Sequence, residues 1–227
     1  MIAETPLTGL DLSGFTEHEP GVWSDAAGVL LSVHFFPLVP DLPAPLHEFA
    51  RLREGLARFT AEAGGGLIEA APGTVDGLPA VRQLVKAPLG GRPGQGFIGS
   101  LTVPREACSA VVKVQAAEGA TTGMREAMVM AEVGPAAYFR PHPYVTGQIG
   151  GLPSHAGDDE RWDGRFPDHP LTLVRAALRR IAPTVTFDDG FRSLPPFGGA
   201  AAPRDAPPSP QAPPPPAKRG WFRRKGA

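Results

Sequence analysis

Residues 67–117 read LIEAAPGTVDGLPAVRQLVKAPLGGRPGQGFIGSLTVPREACSAVVKVQAA, and this stretch decides the fold. It contains four β-prone runs, at residues 67–71, 78–86, 95–103 and 108–117, which are separated by short turns with Pro or Gly. Short turns favour antiparallel neighbours, because a parallel pair needs a long crossover connection. The stretch therefore predicts consecutive antiparallel strands of one sheet.

Upstream of this stretch, the sequence predicts a hairpin and a helix. Two β-prone runs, at 21–24 and 29–36, flank a turn-forming segment, which is typical of a hairpin. Several prolines follow, and apolar residues then recur at three- and four-residue spacing up to the glycines at 64–66. This spacing predicts an amphipathic helix over residues 44–62, whose apolar stripe must be buried.

Downstream, two further helices are predicted. The first covers residues 123–132, and its apolar side consists of Met124, Ala127, Met128 and Ala131. Asp168-His169-Pro170 is a typical start of the second. The buried face of that helix consists of Leu171, Val174, Leu178 and Ile181. Together these elements predict an α+β fold, with a mainly antiparallel sheet covered by two or three helices in a single domain over residues 1–194.

The composition changes from about residue 195. Proline occupies eight of the fifteen positions from 203 to 217, a composition that favours extended chain and cannot bury a core. We therefore expect a disordered proline-rich linker over 195–217, followed by a basic and aromatic segment over 218–227. The charged and aromatic residues of that segment are Lys218, Arg219, Trp221, Phe222, Arg223, Arg224 and Lys225.

Cations around an aromatic pair suit an anionic membrane surface or an acidic groove of a partner protein. A solubilising tail without a ligand is the plain alternative. Nucleic acid is the least favoured ligand, because a formal net charge of −1 provides no overall positive field. We expect an unknown protein partner, or peripheral contact with an anionic membrane through the tail.

Cysteine usage and the N-terminal sequence predict the compartment. Cys108 is the single cysteine and lies in an apolar run, so we expect a reduced core residue. The first residues lack the features of a secretory signal, and no apolar run approaches the roughly 20 residues that cross a bilayer. We therefore expect a cytoplasmic protein, in peripheral contact with the inner face of the membrane if the tail docks there.

The irregular segment 138–168 holds the densest set of reactive groups, namely Ser154, His155, Asp158 and Asp159. Adjacent Ser and His rarely form a nucleophile and base pair, because catalytic partners normally converge from separate segments. The spacing of the acids and histidines matches no metal motif, so neither a metal nor a cofactor is predicted. A structural loop is favoured, and a ligand site formed by these four residues is the alternative.

Other motifs exclude common nucleotide-binding and hydrolase signatures. Residues 94–99 match GxGxxG by letter but lead into a strand, whereas a dinucleotide fingerprint follows a strand and opens a helix. The sequence has neither a GxxxxGK[ST] phosphate loop nor a GxSxG nucleophile elbow.

VDGLPAV at residues 75–81, which leads into a strand, and the segment 97–103 before another strand resemble the PsbP/Mog1-like α/β/α sandwich group. The resemblance covers residues 15–133. Members of the group include photosystem accessory subunits, a GTPase-binding protein and bacterial lipoproteins, and this chain lacks a lipoprotein cysteine near its N-terminus. Several members bind proteins rather than catalyse reactions, so the resemblance implies a non-enzymatic role and transfers no site residue.

Two functional hypotheses follow. The first is a non-enzymatic interaction or adaptor module whose tail acts as a tether. The second is a small-ligand-binding domain, or a hydrolase-like enzyme, with a pocket under the 138–168 segment. Convergence of two or more of the four candidate side chains in a concave pocket would favour the second hypothesis, and their dispersal would favour the first.

Overall fold

The computed structural model describes residues 5–119, 121–147 and 150–199. Seven of its strands form one antiparallel sheet in the spatial order β2-β3-β4-β8-β7-β6-β5, and β1 pairs separately with β9. The strands are β1 (Leu7–Gly9), β2 (Phe15–Glu19), β3 (Val22–Asp25), β4 (Leu30–Phe36), β5 (Gly66–Val75), β6 (Leu78–Pro88), β7 (Gln95–Pro104), β8 (Ser109–Ala117) and β9 (Thr186–Phe187). The predicted α+β class with a mainly antiparallel sheet is confirmed.

The turn between β5 and β6 follows directly from the sequence. Asp76 and Gly77 have φ angles of 51° and 75°, and Val75 pairs with Leu78 across them. A two-residue turn with positive φ at both positions matches the twist of the flanking strands, and Asp-Gly is a preferred pair for it. The VDGL segment therefore fixes the register of this hairpin.

The predicted N-terminal hairpin is confirmed as β3 and β4. Asp25 stabilises its turn, because Oδ1 accepts hydrogen bonds from the amides of Ala27 and Val29, both at 2.9 Å. Strand β4 also pairs with β8 over its whole length, with Leu31 opposite Val114. The N-terminal hairpin thus extends the sheet on the side of β8, the last of the four central strands.

Helices α1 (Phe49–Glu62) and α4 (Pro170–Ile181) cover opposite faces of the sheet. Two residues on opposite faces of β6 show this arrangement. Leu84 packs in the hydrophobic cluster that contains α4, whereas Val81 packs in the cluster that contains α1. Gly99 on β7 allows α4 to lie close to the sheet, since a Cβ at this position would stand 2.4 Å from Leu178 Cδ1. Cys108 is buried in the α4 cluster, as predicted.

Two helix predictions need correction. Helix α1 begins at Phe49 and not at residue 44, because Leu42 and Ala44 pack into the core as non-helical chain ahead of Pro45.

Helix α2 (Met124–Val133) lies where it was predicted, but the prediction of its buried side was wrong. Met124 and Met128 are 53% and 45% exposed, whereas Arg125 and Val129 are buried. Arg125 points inward because its guanidinium finds polar partners there, at Gly157 and Asp163 in the segment that precedes α4.

The C-terminal part of the described chain returns to the body. The predicted buried face of α4 is confirmed, and two short elements precede and follow that helix, α3 (Pro135–Tyr138) and α5 (Asp189–Ser193). Phe197 is buried with Leu42 and Ala44. The basic segment 218–227 and residues 200–217 of the predicted linker lie outside the described residues. No helix in the described ranges has the length and apolar character that crossing a bilayer requires.

Candidate functional site

The segment between α3 and α4 is anchored beside the edge strand β5. The Leu152 amide donates a hydrogen bond to the Gly65 carbonyl at 2.9 Å, and the Arg140 amide donates to the Ser154 carbonyl at 3.1 Å. The segment then forms two 3-10 turns, Ala156–Asp158 and Glu160–Arg165. These contacts give fixed positions to residues that the sequence placed in an irregular segment.

A buried ion pair joins this segment to the sheet. The ammonium of Lys86 on β6 donates hydrogen bonds to both carboxylate oxygens of Asp158, at 2.8 and 2.7 Å. The two side chains are 2% and 12% exposed. Burial lowers the pKa of Lys86, and the negative charge of Asp158 opposes this shift. Both charged groups have lost most of their hydration, so the loss of either partner would leave an uncompensated buried charge. The pair therefore holds the segment to the sheet only while both partners are present.

Arg125 connects the same segment to helices α2 and α4. Its guanidinium is fully buried and donates to the carbonyls of Gly157 and Asp159, at 2.8 and 2.9 Å, and to Thr172 Oγ1 at 3.0 Å. It also contacts Asp163 Oδ1 at 2.8 Å. A fork of five N–H donors suits this task, because it can serve several acceptors from one position.

Arg175 on α4 completes the network. It donates to Asp163 Oδ1 at 2.9 Å and to the Asp158 carbonyl at 2.6 Å, so two arginines share the Asp163 carboxylate. The segment is therefore bound to the sheet by one charge pair and to both helices by a second group of charges.

His155 lies at the centre of the segment. Its ring stacks on Tyr138, with centroids 4.9 Å apart and planes inclined by 10°, and its Nδ1 lies 3.7 Å from Asp158 Oδ1. Burial lowers the pKa of His155 to about 4, so the imidazole is neutral at neutral pH. Burial also raises the pKa of Tyr138, which keeps its phenol protonated.

The structure brings the four sequence-predicted site residues together. Ser154, His155, Asp158 and Asp159 all line one cleft of about 290 Å³, whose wall also includes Arg140 and Arg175. The convergence that would favour a ligand site is therefore present.

Most charges that line the cleft are already paired. Arg140 contacts Asp159 at 2.8 Å, Asp158 is held by Lys86, and Arg175 contacts Asp163. Two buried atoms of residues that line the cleft, His155 Nδ1 and Arg175 Nε, find no hydrogen-bond partner among the described residues. The cleft can therefore offer hydrogen bonds to a bound molecule without a large excess of either charge.

A hydrolytic arrangement of these groups is not formed. Within the described ranges, Ser154 Oγ makes no hydrogen bond to His155 or to another base. A histidine with a pKa near 4 is also a weak base at neutral pH, and general-base catalysis works best with a pKa near the working pH.

Sequence reasoning missed Lys86, Arg125, Asp163 and Arg175. One signal was available for Lys86, which lies two positions after Leu84 and hence on the same buried face of the strand. Arg125 and Arg175 carry no such signal, because exposed arginines are common on helices and their partners lie far along the chain.

Neither the family models nor the curated proteins with which the sequence was compared show a match to this chain. The resemblance to the PsbP/Mog1-like group stays a prediction from the sequence.

Proposed function

We propose that this protein is a non-enzymatic binding module that takes a small, polar, uncharged ligand into the cleft lined by Ser154, His155 and Arg175. The observation that carries the proposal is the pair of buried atoms, His155 Nδ1 and Arg175 Nε, that lack a partner within the described part of the chain in a cleft of otherwise paired charges.

The energetic argument concerns these two atoms. A buried polar group without a hydrogen bond costs about 1–3 kcal/mol, so proteins rarely leave such groups without a partner. A ligand that forms a hydrogen bond to either atom would recover this cost. Arg175 Nε supplies a donor, and the neutral ring of His155 can donate or accept at Nδ1.

Size and charge limit the ligand. A cleft of about 290 Å³ lies at the lower end of the range for small-molecule sites, roughly 300–1,000 Å³. The ion pairs around the cleft leave no free charge on Asp158 or Asp159 to attract a cation. A compact molecule with several hydroxyl or amide groups, such as a sugar, a polyol or a small amide, fits these limits.

The test is a binding screen on the full chain with monosaccharides, polyols and small amides, followed by calorimetry on any compound that binds. In His155→Phe the aromatic stack on Tyr138 is kept and the ring nitrogens are lost. The matched control is His47→Phe, because the His47 side chain is 77% exposed. We expect His155→Phe to bind at least ~10-fold more weakly, which is the loss expected for one buried hydrogen bond.

Binding by His155→Phe that equals wild type, or no binding of any compound of these classes by wild type, would overturn the proposal. Chemical shift changes confined to residues 154–159 in an NMR spectrum of the wild type would support it. This second measurement does not depend on the stability of a variant.

We also keep the sequence-based proposal that residues 218–227 dock to an anionic membrane or a partner protein from the cytoplasmic side. Its support is the composition of the segment, five cations around Trp221 and Phe222.

A further inference from the structure

Three side chains that could ligate a metal ion come together beside the first turn of α2, each from a different part of the chain. Glu118 follows the end of β8, Glu126 lies in the first turn of α2, and His169 is the N-cap of α4. His169 Nε2 lies 3.9 Å from Oε1 of Glu118 and 3.9 Å from Oε1 of Glu126, and the three ligand atoms lie within 4.8 Å of one another.

The side chains of this cluster are buried, and two of their atoms lack partners. Glu118, Glu126 and His169 are 5%, 15% and 9% exposed. In the part of the chain that the structure describes, His169 Nε2 and Glu126 Oε2 find no hydrogen-bond partner. An unpartnered imidazole nitrogen that faces two carboxylates is an observation independent of the acids themselves.

Glu118 is held in place by the backbone around it. Its Oε2 accepts from the Gln95 amide at 2.7 Å, and its Oε1 accepts from the Gly123 amide at 2.8 Å. Each carboxylate oxygen has two lone pairs, so both bonds leave capacity for a further partner. Burial lowers the pKa of His169 to about 4, so the ring is neutral and does not balance the acids.

We propose that Glu118, Glu126 and His169 form a binding site for a divalent transition-metal ion, with Zn²⁺ or Mn²⁺ as the expected ions. One imidazole and two carboxylates suit these ions, whereas Ca²⁺ and Mg²⁺ prefer oxygen ligands alone. A point equidistant from the three ligand atoms lies at most roughly 2.5 Å from each. Movements of a few tenths of an ångström bring this to the 2.0–2.2 Å typical of zinc.

Two of the three ligand residues border a pocket. Glu118 and His169 line a pocket of about 580 Å³, whose wall also contains Thr121, Met124 and Asp168. Three protein ligands are typical of zinc sites that also bind an exchangeable water or substrate, whereas structural zinc sites are closed by four protein ligands.

Metal binding requires one hydrogen bond to change. The Leu171 amide donates to His169 Nδ1 at 3.2 Å, so the hydrogen of the neutral ring lies on Nε2. When the ion takes the Nε2 lone pair, that proton leaves to solvent, Nδ1 takes up a proton, and the Leu171 amide loses its acceptor. The protonated Nδ1 then faces the N–H of Leu171, so this change reduces metal affinity by at least roughly 5-fold.

The experiment is calorimetric titration of Zn²⁺ and Mn²⁺ into the full chain after treatment with a chelator. The test variants are Glu126→Gln, which keeps the shape of the side chain, and His169→Asn, which keeps a favourable N-cap for α4. The matched control is Glu132→Gln on the same helix, because Glu132 is 50% exposed. We expect both test variants to bind at least ~10-fold more weakly and the control to bind as wild type does.

Absence of Zn²⁺ and Mn²⁺ binding to wild type would overturn the proposal. Equal binding by wild type and both test variants would also overturn it, because the ion would then occupy an adventitious surface site. If His169→Asn does not fold, NMR of the histidine rings in wild type decides the question. A shift of the His169 resonances at one equivalent of Zn²⁺ supports the site, and unchanged resonances reject it.

Discussion

Lys86 and Asp158, which are 72 residues apart in the sequence, form a buried ion pair in which the ammonium donates to both carboxylate oxygens, at 2.8 and 2.7 Å. The pair joins β6, the strand next to the edge strand β5, to the segment that carries the cleft. Asp158 also accepts a hydrogen bond from the His155 amide at 3.0 Å, so the same carboxylate positions the histidine.

The first prediction concerns this pair. Asp158→Asn leaves a buried ammonium without a counter-charge and should destabilise the protein by about 3–5 kcal/mol. Urea unfolding followed by circular dichroism measures this value. The control is Glu54→Gln, which breaks the exposed pair with Arg58 on α1 and should cost no more than about 0.5 kcal/mol. A loss below about 1 kcal/mol for Asp158→Asn would contradict the view that the pair anchors the segment.

The double variant Lys86→Met, Asp158→Leu separates charge from packing. Replacing both members of a buried pair by apolar residues is often neutral or stabilising, so it should recover most of the stability lost in Asp158→Asn. Loss of cleft binding in this stable double variant would show that binding requires the Asp158 carboxylate, which lines the cleft and accepts from the His155 amide.

Local patterns predicted most of the fold. Asp76-Gly77 specified the turn between β5 and β6, and the spacing of Leu171, Val174 and Leu178 identified the buried face of α4. Both features depend on neighbouring residues only. The pairing of β4 with β8 joins residues about 80 positions apart, and no local pattern indicates it.

The difference between local patterns and contacts of distant residues also explains which candidate site residues the sequence revealed. Ser154, His155, Asp158 and Asp159 were recognised because they are close together in the sequence. Arg125 was missed, because its burial depends on Gly157, Asp159 and Asp163, which lie 32 to 38 residues further along the chain. Hydrophobic patterning therefore predicted Met124 and Met128 on the buried side of α2. In the structure both are exposed, and the buried side carries Arg125, whose guanidinium nitrogens all have hydrogen-bond partners.

A second prediction tests the contact between α4 and the sheet. Gly99→Ala places a methyl group 2.4 Å from Leu178 Cδ1 and 2.8 Å from Val174 Cγ1, so the helix must shift. Overpacking of this kind should cost about 1–3 kcal/mol in urea unfolding. Gly73→Ala on β5 is the matched control, because no atom lies within 4 Å of its added Cβ. Equal stability of the two variants would argue against tight packing of α4 at this point.

A third prediction concerns the basic segment, which lies outside the described residues. The full chain should bind vesicles that contain anionic lipids and lose this binding when residues 218–227 are deleted, since each nearby cation adds about 1 kcal/mol at such a surface. Co-sedimentation measures the bound fraction. Binding should also weaken in high salt and be absent with uncharged vesicles. Equal sedimentation of the full chain and the deletion variant would reject membrane docking by the tail.

The last prediction is a pH dependence that belongs to His155. Burial lowers the pKa of its ring from 6.5 to about 4 in the folded protein. The stability that this residue contributes is complete above pH 6.5. It falls as the pH decreases towards 4, because the unfolded chain takes up a proton that the folded chain does not bind. Between pH 7 and pH 5 this amounts to about 2 kcal/mol.

His155→Phe removes this titration and keeps the aromatic stack on Tyr138. The difference in unfolding free energy between pH 7 and pH 5 should therefore be smaller by about 2 kcal/mol in the variant than in wild type, as measured by urea unfolding at both pH values. His47→Phe should keep the wild-type difference, because the His47 side chain is 77% exposed. A difference in His155→Phe that matches wild type would mean that the ring titrates equally in the folded and unfolded chains, and burial beside Asp158 and Lys86 would then have no effect on its proton.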